Sequence, residues 1–195
     1  MNIFSKNKEL FIALGIVGVS GVAYFAFGGR KGLMKVLRMT DGIIEKAGDT
    51  GWNDPKFQQE MADVGWHSGW AWCVLYSEYV WKKILPKYKY KVAEKLLTNN
   101  SQTTWANFKR HTENNGKYFE ISKKPKKGSI AIWQGISNPL TGHAGIVTDV
   151  PKDKDYFVTQ EGNYAGKVTK DIKRKYRWNG TTSEGYRLIG FINIK

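Results

Sequence analysis

Thiols are almost missing from this chain. Cys73 is the only cysteine among 195 residues, which excludes an intrachain disulfide and a zinc site built from cysteines. Histidine is nearly as scarce, with His67, His111 and His143 the whole supply of 3. Acidic residues are also in short supply, 17 against 31 lysines and arginines, for a formal charge of +14. No long polar linker and no internal repeat divides the chain. No nucleic-acid motif accompanies the positive charge, so nucleic acid is not expected as a partner. The lone thiol is either a small buried residue or a nucleophile, and that choice decides most of what the protein does.

The one long apolar stretch is residues 10–29, an uncharged run from Leu10 to Gly29. As a helix it would extend about 30 Å, the thickness of a bilayer core. Tyr24, Phe25 and Phe27 suit an interfacial end. Gly21 and Ala23 would also suit a cleaved secretory signal, and a buried helix is a third option. The reading adopted is an anchor: residues 1–9 a short tail, 10–29 a transmembrane helix or signal anchor, and 30–195 one hydrolase domain. A single-pass protein of a viral membrane, virion or bacterial envelope follows, with the lipid bilayer as a partner through residues 10–29. Arg30, Lys31, Lys35 and Arg38 follow the run and would place the domain in the cytoplasm by the positive-inside rule, which conflicts with a role at a cell wall.

Beyond the run, helices come first. Leu33, Val36, Leu37, Ile43, Ile44 and Ala47 predict a helix over 31–47, stopped by Gly48. Asp54-Pro55 predicts an N-cap and first turn for a short helix through Ala62. Trp70, Cys73, Ser77, Val80 and Ile84 recur at helical spacing and predict a helix from about Trp72 to Lys83, closed by Pro86. Residues 91–97 and 103–113 read as shorter helices. After Pro125 the pattern changes to β-branched and alternating runs, 129–134, 143–150, 156–160 and 186–194. Helices followed by strands indicate an α+β domain with an antiparallel sheet.

A thiol at a helix start meets unpartnered N–H groups and the positive end of the helix dipole, and both favour a thiolate. A nucleophile then needs a base. His111 lies in a basic helix and reads as a surface residue. His143, in Thr-Gly-His-Ala-Gly-Ile-Val, opens an apolar strand between small residues and is the better candidate. The imidazole in turn needs an orienting acceptor. Strands adjacent in sequence usually pair, so Glu161 or Asn163, at the end of the next strand, could serve. Either group would fix the tautomer and leave the other ring nitrogen facing the sulfur.

Together these residues resemble the CHAP amidase/peptidase domains and the similar NlpC/P60 peptidoglycan hydrolases, all papain-like. The matching pieces are Trp72-Cys73 at a helix start, Pro125 followed by Gly128 to Trp133, Gly142 to Val147, and Glu161-Gly162-Asn163. The resemblance covers roughly residues 40–195 and implies a papain-like fold, with Cys73 as nucleophile, His143 as base, Glu161 as its orienter and Asn163 assisting. Ser129 stands where the family commonly has a structural Asp, and Val74 where a small Ala is frequent. The implied reaction is acyl transfer to Cys73 and hydrolysis of an amide in bacterial peptidoglycan, needing no metal or organic cofactor. A virion lysin acting at entry fits this picture. The alternative is a membrane-anchored structural or interaction protein on a silent CHAP-like fold.

Residues 82–127 carry thirteen Lys/Arg against three Asp/Glu. This face would suit anionic wall polymers or lipid headgroups, or is a solvated surface. Trp66 and Trp70 would suit a substrate groove or the core, whereas Trp81 falls at core spacing.

Overall fold

Side-chain caps set where two of the helices begin. Asp54 accepts hydrogen bonds from the Lys56 and Phe57 N–H groups, with Pro55 in the first turn. Asn100 does the same for Gln102 and Thr103. Both satisfy donors that a helix start leaves free. The computed structural model describes residues 32–177 and 184–195. A helix covers 32–40 (α1). It is followed by α2 (Pro55–Ala62), α3 (Cys73–Ile84), α4 (Lys87–Ala93) and α5 (Ser101–Glu113). The strands are β1 (Phe119–Ser122), β2 (Ile130–Gly135), β3 (Gly142–Asp149), β4 (Tyr156–Tyr164), β5 (Lys167–Lys175) and β6 (Tyr186–Ile194). They form one antiparallel sheet in the order β1-β6-β2-β3-β4-β5.

The alternation of the strands separates two cores. Ile130, Ile132, Ala144 and Ile146 join the helices in the larger one. Ala131, Trp133, Val147, Phe157, Leu188 and Phe191 form a second cluster on the other face. Helix α3 packs on β3 and β4, and α5 on β1 and β2. All residues of α3 from Cys73 to Trp81 are buried. Trp81 locks α3 to the sheet: its Nε1 donates to the Gly128 carbonyl at 2.8 Å, and its ring stacks on Phe119 at 5.2 Å.

The helix expected over 31–47 stops at residue 40. The Thr40 hydroxyl turns back onto the Val36 and Leu37 carbonyls, and Gly42 takes φ +76°. Ile44 then pairs with Lys167 and Glu45 with Trp52, so the apolar periodicity of 43–47 belongs to an extended segment. The Asp-to-Ser change at position 129 is absorbed by a turn. Ser129 Oγ donates to Asn193 Oδ1 at 2.6 Å and accepts from the Lys126 N–H.

The expected transmembrane helix requires correction. Among the described residues no helix is long and apolar enough to cross a membrane. The longest with both ends described, α5, has thirteen residues and rises about 20 Å, short of the roughly 30 Å needed. The run 10–29 lies outside the described residues. The architecture is therefore an α+β domain with helices packed on an antiparallel sheet. The bilayer as a partner through 10–29 and the single-pass membrane localisation are withdrawn with the helix.

Because Trp81 fills the joint between α3, α5 and β1, Trp81→Ala is expected to lower unfolding free energy by about 3–5 kcal/mol. Urea denaturation followed by circular dichroism measures this. A loss below about 1 kcal/mol would contradict a packed joint.

Candidate active site

Cys73 is the first residue of α3, and Trp72 before it makes no side-chain cap. The opening N–H groups of the helix are thus left for other partners. The position of this helix start is fixed by Trp72, whose Nε1 donates to Glu45 Oε2 at 2.6 Å and whose ring meets Trp52 edge-on at 5.0 Å. Gly162 presses against it from β4, and a Cβ there would overlap Trp72 and Tyr76. Behind it the Tyr76 hydroxyl lies 2.7 Å from Thr40 Oγ1 and accepts from Gln160 Nε2 at 3.0 Å, joining α1, α3 and β4. Burial is the largest influence on the Cys73 thiol and raises its pKa. The charge and hydrogen bond of His143, with the N–H groups of Ala144 and Val74, outweigh it and leave the thiol below its ordinary value.

His143 is the second residue of β3, opposite Trp133 on β2. Its ring centre lies 5.9 Å from that of Trp133 and 6.2 Å from that of Tyr186. Nε2 is bonded to Glu161 Oε2 at 2.7 Å, which leaves Nδ1 as the ring nitrogen for the Cys73 sulfur. Burial alone would lower the imidazole pKa. The Cys73 thiolate and Glu161 reverse this and raise it to about 10.

The recorded β3–β4 pairing runs from Asp149 and Val158 to Ile146 and Gln160 and stops short of His143. Beyond it Glu161 lies across Gly145, where a Cβ would fall 2.5 Å from Glu161 Cγ. The carboxylate is fully buried. Oε1 accepts from Thr159 Oγ1 at 2.5 Å and Arg174 Nε at 2.8 Å. Oε2 accepts from Arg174 Nη2 at 2.6 Å as well as from His143. Burial raises the Glu161 pKa, but the Arg174 and His143 contacts prevail and hold it near 2.

The structure therefore brings Cys73, His143 and Glu161 together. Asn163, two residues beyond Glu161, is half-buried with φ +56° and makes no hydrogen bond to the imidazole. No motif marks Arg174 in the sequence. Its only signal there is a basic residue in the run after Glu161, hidden among lysines. His111 departs from the expected surface role: it is half-buried beside Phe119, at 6.2 Å, with Nε2 shielded and unpaired among the described residues. Trp66 is buried and donates to the Trp70 carbonyl, while Trp70 is 40% exposed. A groove of about 430 Å³ lined by Leu37, Arg38, Asp149, Val158 and Lys170 lies at the other end of β3 and β4. Among the described residues no group of three or more His, Cys, Asp or Glu is placed to hold a metal ion.

Comparison with known proteins identifies a family. The CHAP domain family model aligns with residues 63–163, just over half of the 195-residue chain. No curated protein matches the chain, and no solved structure does. The matched range holds Cys73, His143 and Glu161 and ends on Asn163. The chain belongs to the CHAP domain family, and that membership supports a hydrolase of the general peptidoglycan-hydrolase or amidase type.

Proposed function

We propose that residues 30–195 form a cysteine amidase or endopeptidase that cleaves an amide bond in bacterial peptidoglycan, with Cys73 as nucleophile and His143 as base. The observation that carries this reading is the His143 Nε2 bond to Glu161 at 2.7 Å, which commits one ring nitrogen and leaves the other to the only thiol in the chain. Glu161 orients the imidazole and stabilises its charged form. Asn163 is left without a role in orienting it.

The reaction begins from a thiolate–imidazolium pair. The Cys73 sulfur attacks the amide carbonyl, forming a C–S bond and moving the carbonyl electrons onto oxygen. The uncapped N–H of Cys73 is a donor for that oxyanion. Collapse of the tetrahedral intermediate breaks the C–N bond, and His143 gives its proton to the departing amine. The imidazole, now neutral, takes a proton from water as the water attacks the thioester. Release of the acid product regenerates the pair.

Mass spectrometry of fragments released from defined peptidoglycans tests the reading and identifies the bond. Cys73→Ala is expected to abolish release, a loss of at least about a thousandfold. Unchanged release by that variant would falsify the assignment of the nucleophile. Gly145→Ala should displace the carboxylate from the imidazole and cost about 100-fold in kcat/KM, read in the same assay beside a thermal melt. The pH profile has a set sign. The imidazolium is kept up to about pH 10, so activity should persist into the alkaline range and fall as His143 loses its proton there. On the acid side it should fall as the thiolate gains one. A profile rising through the pKa of an ordinary thiol, about 8.5, would contradict a preformed ion pair.

A further inference from the structure

Arg174 stands in β5, a strand that the family match does not reach. In the register of the sheet it lies opposite Phe157, while Thr159 faces Ile172 and Glu161 faces Thr169. Its side chain therefore runs diagonally along one face, past Thr159, to reach Glu161. It arrives as a fork, Nε on Oε1 and Nη2 on Oε2. The guanidinium lies 5.2 Å from the ring centre of Trp133 and 5.2 Å from that of Tyr164. Nη1 reaches Glu184 Oε2 at 3.2 Å. Rings and ion pairs thus leave the fork little freedom to turn.

We propose that Arg174 is a positioning residue for this reaction, holding the Glu161 carboxylate ionised and in the rotamer that fixes the tautomer of His143. The proposal rests on the Cys73–His143–Glu161 reading above. Its chemistry follows from the donors around the carboxylate. Glu161 is fully buried, and among the described residues two of its four hydrogen bonds come from Arg174. With the fork removed, a buried anion would keep only Thr159 and His143, and burial would favour its neutral acid. A carboxylate accepts from Nε2–H and leaves Nδ1 free to take the thiol proton. A carboxylic acid donates to Nε2 instead, which places the ring proton on Nδ1, facing the sulfur, and removes the base. The charged and titratable groups that bear on this balance are Cys73 from α3, His143 from β3, Tyr164 at the end of β4, and Glu184 ahead of β6. Tyr186 of β6 covers the imidazole.

The single thiol makes the test direct, because alkylation by iodoacetamide reports on Cys73 alone. The alkylation rate is measured against pH for the full chain, Arg174→Gln and Arg174→Lys, beside fragment release and circular dichroism. Arg174→Gln is expected to move the acid limb of alkylation and of kcat/KM upward by about 1–3 pH units. Arg174→Lys restores the charge without the fork. It should return the limb close to its wild-type position while turnover stays below wild type. A folded Gln variant with an unmoved limb, whether its rate is unchanged or lowered evenly at every pH, overturns the proposal. If the Gln variant does not fold, the Lys variant decides: an unshifted limb with reduced turnover supports the charge role, and a shifted limb overturns it. Wild-type protein that alkylates like an ordinary thiol defeats the underlying Cys73–His143 reading instead, whatever Arg174 does.

Discussion

A carboxylate shut away from water is the constraint that the rest of this site depends on. Glu161 can remain an anion at full burial only because each of its acceptor positions is filled. Two of the donors belong to other strands, β3 and β5, and a third is its own-strand neighbour Thr159. The outcome is a series of ionisable groups of alternating sign, Cys73, His143, Glu161, Arg174 and Glu184, running from the helix start across the sheet. Each member offsets the desolvation of the next. Removing any inner one leaves an uncompensated charge, a change that in buried pairs typically costs about 3–5 kcal/mol.

The sheet is shaped to make room for this series. The pairing of β3 with β4 reaches Gln160 with one irregularity between Val147 and Asp149, and beyond it the strands use small residues where side chains would collide. Gly145 clears space for the Glu161 side chain, and Gly162 lets β4 approach the first turn of α3. The same few residues therefore carry the Glu161 carboxylate and the contact that places the Cys73 sulfur. Geometry at the sulfur and geometry at the imidazole are set by one short length of β4.

Much of this was legible in the sequence because the signals were local. Cys73 begins a periodic apolar helix, His143 stands near the start of a β-branched strand between small residues, and Glu161 lies in the next strand. What stayed hidden depended on register or on polar groups acting at a distance. β5 reads Lys-Val-Thr-Lys-Asp-Ile-Lys-Arg-Lys, and only Val168 and Arg174 in it are buried. As an edge strand it keeps its lysines in water, so its pattern resembles a solvated loop and the one buried guanidinium is lost among them. Asn163 lies in the same stretch as Glu161, yet a positive φ and an irregular register separate their roles. The end of α1 was missed for a similar reason: the apolar spacing continues past Thr40, but the hydroxyl of Thr40 and the turn at Gly42 do not let the helix follow it.

The placement of β6 has a consequence for what counts as the smallest working piece of this protein. β6 is last in the chain but sits between β1 and β2 in the sheet. The stretch that carries the family signature, 63–163, would therefore be split by a missing strand. It would also lack α1, whose Thr40 partners the Tyr76 hydroxyl, and the guanidinium beside Glu161. The recognisable segment and the cooperative folding unit are different objects. Cys73, His143 and Glu161 lie inside the first, while the groups that hold them in place come from both sides of it.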